Sequence, residues 1–192
     1  MRYYFAGGLF DHKELIGNKL LADAIADVSA GRWEALLPQN EEKQLRDDPK
    51  SIRDNDFQMV LKSDAALFNF DGTELDSGTV AEFMAARFID LPCVVLRSDF
   101  RKAGDQNIDG EAWNLMLSGY PGTVTLSFDS MNEYQRAFRG KETFEALKCF
   151  YTEMAEKIVA ALDGVYEREP VLSKADAAVA RDILKRSCGI AE

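Results

Sequence analysis

The sequence predicts an α/β fold in which a mostly parallel five-stranded sheet lies between layers of helices. Three observations predict it. Short apolar runs of strand length recur at 2–6, 33–37, 64–70, 91–96 and 123–127. Longer segments of helical periodicity separate them, and strands alternating with helices require right-handed crossovers and a parallel sheet. The run Leu91-Pro92-Cys93-Val94-Val95-Leu96 is continuously apolar, as a strand covered on both faces must be.

The first strand, 2–6, runs into Gly7-Gly8-Leu9-Phe10. Two glycines there permit either a close approach to a ligand or a tight turn into a helix, and the sequence leaves both open. Residues 13–29 read as an amphipathic helix facing inward through Leu15, Ile16, Leu20, Ala24, Ile25 and Val28, ended by Gly31. The weaker strand 33–37 closes on Pro38-Gln39-Asn40, and the charged stretch 41–49 reads as a solvated helix or loop. Residues 51–63 form a helix facing inward through Ile52, Phe57, Val60 and Leu61, with Asp54 and Asp56 near a start whose dipole favours anions. A helix over 78–89 follows the central strand, with Val80, Phe83, Met84 and Phe88 on one side. Residues 98–111 read as a surface or lid loop, 111–117 as a short helix and 143–162 as a long amphipathic helix. Pro170 precedes a last helix over 174–186 that packs on its own domain or on a neighbouring subunit. The expected division is a main domain over 1–165 and a C-terminal helical extension over 166–192.

The chain is organised around the handover from the third strand to its helix. The run Ala65-Ala66-Leu67-Phe68-Asn69-Phe70 ends at the turn dipeptide Asp71-Gly72, and Asp76-Ser77-Gly78-Thr79 then supplies helix-start residues. Asp71, Glu74, Asp76 and Glu82 therefore crowd the carboxyl edge of the sheet, where α/β proteins bind ligands. Each has a purely structural explanation: Asp71 shapes the turn, Asp76 caps the helix, and Thr79-x-x-Glu82 is a capping box. One cap does not need four carboxylates, and accumulated like charge at a crevice is tolerated chiefly at functional sites.

Composition narrows the function. With 192 residues and 46% apolar content the chain supports one substantial core. A formal charge of −10 argues against nucleic acid or an anionic membrane surface as main partner. No apolar segment reaches membrane-spanning length, and the strand at 2–6 leaves no room for a signal peptide before it. Cys93, Cys149 and Cys188 lack CxxC spacing and read as reduced thiols of a cytoplasmic protein. His12 is the only histidine, which excludes a Ser/His triad or a histidine-based metal site. Neither GxGxxG nor GxxxxGK[ST] occurs.

Taken together, Tyr4-Phe5-Ala6-Gly7-Gly8-Leu9-Phe10, Asp56, Asp76-Ser77-Gly78-Thr79, Glu82 and Asn114-Leu115-Met116 resemble nucleoside 2-deoxyribosyltransferases over roughly residues 2–162. The resemblance implies a flavodoxin-like (Rossmann-like) three-layer sandwich and exchange of the base of a 2'-deoxyribonucleoside for a free purine or pyrimidine. It implies Glu82 as nucleophile, Tyr4 as the phenol holding its carboxylate, and Asp56 and Asp76 as contacts to sugar and base, one of them supplying a proton. It places Gly7, Gly8, Phe10, Gln39, Asp71, Gly78, Asn114 and Met116 around the substrate, although the spacing at Gln39 differs from the family's. Asn114 would be lent by a neighbouring subunit, which requires a homo-oligomer, and no metal or organic cofactor is implied.

Physical chemistry supports these roles independently. Cleaving an N-glycosidic bond develops oxocarbenium character that a carboxylate stabilises or traps, while a second acid assists the leaving group. The nucleophile must be ionised, for which the positive end of a helix helps; the acid must stay protonated, for which Asp76 is placed. Tyr4 also reads as a core aromatic and Asn114 as a surface polar residue beside Trp113. Two further functions compete. A nucleoside 5'-monophosphate N-glycosidase would need a phosphate pocket, for which Ser77, Arg97, Ser98 and Arg101 are available. A non-catalytic nucleoside-binding module would keep the pocket without needing Glu82.

Overall fold

The structure, a computed structural model, describes residues 1–41, 49–101 and 114–190. The elements in chain order are β1 (Arg2–Ala6), α1 (His12–Val28), β2 (Glu34–Leu36), α2 (Pro38–Glu41), α3 (Pro49–Lys62), β3 (Ala65–Asn69), α4 (Ser77–Phe88) and β4 (Cys93–Arg97). A 3-10 turn at Leu115–Leu117 then precedes β5 (Thr123–Ser127), α5 (Ser130–Phe138), α6 (Thr143–Tyr166) and α7 (Lys174–Cys188). The five strands form one sheet in the order β2-β1-β3-β4-β5, every pair parallel. Most of the loop expected at 98–111, and the charged stretch expected at 41–49, lie outside the described residues. The helix expected at 111–117 is described only as the 3-10 turn.

Strand alternation divides the core. Tyr3, Phe5, Leu67, Val94 and Leu96 pack with α1 and α6. Tyr4, Ala6, Ala66, Phe68 and Val95 pack beneath α3 and α4. The helix after β1 covers one face and the helix after β3 covers the other, so the carboxyl ends of β1 and β3 part at the switch point of the sheet. A Cβ on Gly7 would stand 3.1 Å from that of Asn69, so the backbones after β1 and β3 approach as closely as a glycine allows.

The helices rotate differently from the expected stripes. α1 buries Asn18, Leu21, Ala22 and Ile25 and leaves Ile16 60% exposed. α4 buries Thr79, Phe83 and Ala86, positions four and three apart, while Met84 and Phe88 turn outward at 40% and 57% exposure. Both helices carry two overlapping apolar stripes, and only one of them packs on the sheet. α3 begins at Pro49, so Asp54 and Asp56 lie beyond its first turn and the helix dipole does not explain them. α5 is an element that the expected pattern lacked, although Met131, Tyr134, Ala137 and Phe138 keep helical spacing behind an Asp129 cap; Tyr134 and Phe138 stack on one another along it.

α7 packs on its own chain. Arg181 donates to the Leu61 carbonyl at the end of α3 at 2.7 Å, Arg53 reaches the Cys188 carbonyl at 3.0 Å, and Ala180 is buried. Asp90 accepts from the amides of Val171 and Leu172, fixing the chain that leads into α7. No helix among the described residues is long and apolar enough to cross a membrane. Cys93, Cys149 and Cys188 are free thiols, and burial pushes the Cys93 thiol up to about 11.

Candidate active site

Tyr4 extends from the middle of β1 onto the α3–α4 side of the sheet and is completely buried. Its hydroxyl lacks a hydrogen bond of normal geometry. It nevertheless lies close enough to Glu82 that the phenol favours the ionised carboxylate. Burial, followed by the charges of Glu82, Asp56 and Asp76, raises the phenol well above its ordinary range. Tyr4, Asp56, Asp76 and Glu82 thus lie within electrostatic reach of one another although β1, α3 and the start of α4 are far apart in sequence.

Glu82 is the carboxyl that this environment perturbs. Burial and the adjacent Asp56 push it up to about 7; the Tyr4 hydroxyl opposes the shift and Asp76 adds to it. The expected help from the helix end is outweighed, because Glu82 stands beyond the first turn of α4, where the dipole has faded. The capping box expected at Thr79-x-x-Glu82 does not form. The cap is Asp76, whose Oδ2 accepts from the Thr79 amide at 2.7 Å and the Thr79 hydroxyl at 2.9 Å. With Thr79 inside the helix, Glu82 is left over from the structural requirements of the α4 start.

The other expected site residues divide into two groups. Phe10, 78% exposed, stands free after β1, as a stacking residue would. Asn114 and Met116 line a cleft of about 550 Å³ with Glu74, Ser77, Val80 and Arg97. Gly78 sits beside the Asp76 carboxylate, where a Cβ would come within 3.1 Å of Oδ2. The second group is engaged by the protein itself. Gln39 donates to the Leu15 carbonyl and accepts from Asn18, whose amide also holds the Gly8 carbonyl. A side chain at Gly8 would strike the Glu14 carboxylate, which completes the capping box of α1. Both Asp71 oxygens accept from the backbone and hydroxyl of Ser98 and from the Asp99 amide. A second cleft of about 270 Å³ opens on the α1–α6 side between Gly8, Asn18, Asn69, Asp71, Ser98 and Tyr151. Neither cleft is lined by Tyr4, Asp56 or Glu82; Ser77 and Val80 connect the larger one to α4. Among the described residues no three His, Cys, Asp or Glu side chains are disposed to hold a metal ion.

The sequence pattern of a family described as nucleoside 2-deoxyribosyltransferase matches residues 3–135, from β1 through the cluster into α5. The chain belongs to the nucleoside 2-deoxyribosyltransferase family. No protein of curated function matches it in sequence. Among solved structures it is similar to a 2-deoxyribosyltransferase from the psychrotolerant bacterium Bacillus psychrosaccharolyticus. That pair shares 16% identity over 76% of this chain and 96% of the other, with a TM-score of 0.50. A conserved protein from Enterococcus faecalis V583 is similar at 22% identity over 85% of this chain and 97% of the other, with a TM-score of 0.52. At such identities these two structures speak for the fold alone.

Proposed function

We propose that the protein is a nucleoside 2-deoxyribosyltransferase working through a covalent deoxyribosyl-Glu82 intermediate. The observation that carries this reading is the meeting of Tyr4, Asp56 and Asp76 at Glu82, a carboxylate that no structural requirement of α4 accounts for. Neighbouring carboxyl groups do not ionise independently, and in the free protein burial and Asp56 raise Glu82 to about 7. As the sugar enters, the proton moves to Asp56 or Asp76 and the Tyr4 hydroxyl donates to the Glu82 carboxylate. A Glu82 oxygen then bonds to the anomeric carbon as the bond to the base nitrogen breaks, and the base leaves with the proton. The acceptor base reverses both steps, so configuration is retained and kinetics are ping-pong. Phe10 stacks on the base, and Asn114 of one subunit serves a neighbour's site in a homo-oligomer.

Of the groups that a phosphate pocket could use, both arginines and Ser98 are already engaged by the protein. Arg97 donates to the carbonyls of Phe70 and Gly72, Ser98 donates to Asp71, and Arg101 pairs with Asp99. This favours an uncharged deoxynucleoside as substrate. Incubation with a deoxynucleoside and a second free base tests the reading: the swapped nucleoside is expected. Free base without swapped product, or a strong preference for the 5'-monophosphate, would replace it with the hydrolase. Ligand binding that survives Glu82→Ala, with no turnover in the unmodified protein, would leave only a binding module.

A further inference from the structure

We propose that Asp71 and Arg97 are positioning residues for this reaction, a reciprocal clasp that fixes where the β3–α4 loop delivers Asp76 to Glu82. The proposal rests on the transferase reading and gives Asp71, which the resemblance placed around the substrate, a role through the protein's own hydrogen bonds instead. Asp71 Oδ1 accepts from the amides of Ser98 at 2.5 Å and Asp99 at 2.8 Å, and Oδ2 accepts from the Ser98 hydroxyl at 2.6 Å. In return Arg97 Nη1 donates to the carbonyls on either side of Asp71, those of Phe70 and Gly72, the latter at 2.8 Å. Each residue therefore holds the backbone that flanks the other.

The position of the clasp gives it consequences. Gly72, with φ of +98°, turns the chain at the clasp into a left-handed conformation. Thr73 and Glu74 are then exposed before Asp76 caps α4. Between the clasp and the cap only Leu75 packs against the core. The clasp is also the wall between the two clefts: Asp71 and Ser98 line one, Gly72 and Arg97 the other.

The clasp is an expensive way to tie two loops together. Arg97 is only 3% exposed, and its Nε is buried without a partner. Among the described residues it has no ion-pair partner, Asp99 being paired with Arg101. A buried guanidinium without a bonded carboxylate opposes folding. Such a cost is tolerated where geometry matters more than stability.

The test compares Asp71→Asn, Arg97→Met and Arg97→Lys with the unaltered protein. Two readouts are used: steady-state base exchange per folded molecule, and carbon-13 NMR titration of the Glu82 carboxyl. The groups facing that carboxyl are Tyr4 from β1, Asp56 from α3 and Asp76 from the loop. Loosening the clasp lets Asp76 shift, which removes only the smallest of the contributions that raise Glu82, so the midpoint falls below about 7 while burial and Asp56 still hold it above its ordinary 4.5. In the same variants kcat falls about tenfold or more while KM changes less than about threefold. Arg97→Lys recovers part of both, and Asp71→Asn with Arg97→Met together is no worse than the worse single change, as expected of one unit. Variants that melt earlier but keep the Glu82 midpoint and the kcat of their folded fraction would reduce the clasp to a folding element. If the unaltered protein exchanges no base, the transferase reading fails; the titration still decides whether the clasp sets the Asp76–Glu82 geometry.

Discussion

Tyr4 and Glu82 lie together on the α3–α4 side of the sheet, a fully buried phenol beside a carboxyl pushed up to about 7. The phenol favours the ionised carboxylate, so its removal must raise Glu82 further. Tyr4→Phe is expected to move the alkaline limb of kcat/KM, where the cluster loses the proton that the departing base needs, above 7 and to lower kcat by about tenfold or more. Its melting temperature should hardly change, because the hydroxyl it deletes is buried without a good partner. A pH profile of the variant decides this, and an alkaline limb that stays or moves downward would show that the phenol does not serve Glu82.

The same perturbation links the cluster to stability. Glu82 holds its proton more tightly folded, with a midpoint of about 7, than unfolded, where 4.5 is ordinary. The folded state therefore binds more protons between those values. This contribution is fully present below pH 4.5 and is lost as the pH rises through 7. Above pH 7 the ionised Glu82 destabilises the fold, by no more than about 3 kcal/mol and by less after solvent screening of this half-buried group. Glu82→Gln should accordingly be more stable than the parent at pH 8, with the gap closing towards pH 5. Denaturant titrations at the two pH values measure it; a parent at least as stable as the variant at pH 8 would mean that Glu82 is not under strain.

Asn114 lies on the rim of the larger cleft with its side chain capping the turn before Met116. If one subunit lends this residue to another, Glu82→Ala and Asn114→Ala each inactivate a different half of a shared site. Mixing the two inactive variants under conditions that exchange subunits should restore activity, up to about half of the parent's sites in a mixed dimer. Mixtures as inactive as their components would place Asn114 in the site of its own chain or outside it.

Much of this arrangement was legible before any coordinates. Five parallel strands follow from apolar runs alternating with helical ones, and period-two alternation required Tyr4 to face away from Tyr3 and Phe5. Helix rotation was less legible. Leu15-Ile16 and Met84-Phe88 are as apolar as the residues that face the sheet, and hydropathy alone does not separate two overlapping stripes. The cluster was visible as an excess of carboxylates, but its internal division was not. Asp71 and Asp76 have equal propensity for turn and cap. Only the fold shows Asp71 tied to the β4 loop and Asp76 capping α4, which leaves Glu82 beside Tyr4. The one trace of the Asp71–Arg97 clasp in the sequence is an arginine ending an otherwise apolar strand.

The central claim is chemical, that Glu82 takes the sugar. The most direct measurement is intact-mass analysis and peptide mapping of the protein quenched in acid after incubation with a deoxynucleoside and no acceptor base. A deoxyribosyl adduct is expected on the peptide containing Glu82, absent from Glu82→Ala and discharged when a free base is added before the quench. Base release with no adduct on that peptide, or an adduct that persists in Glu82→Ala, would contradict it.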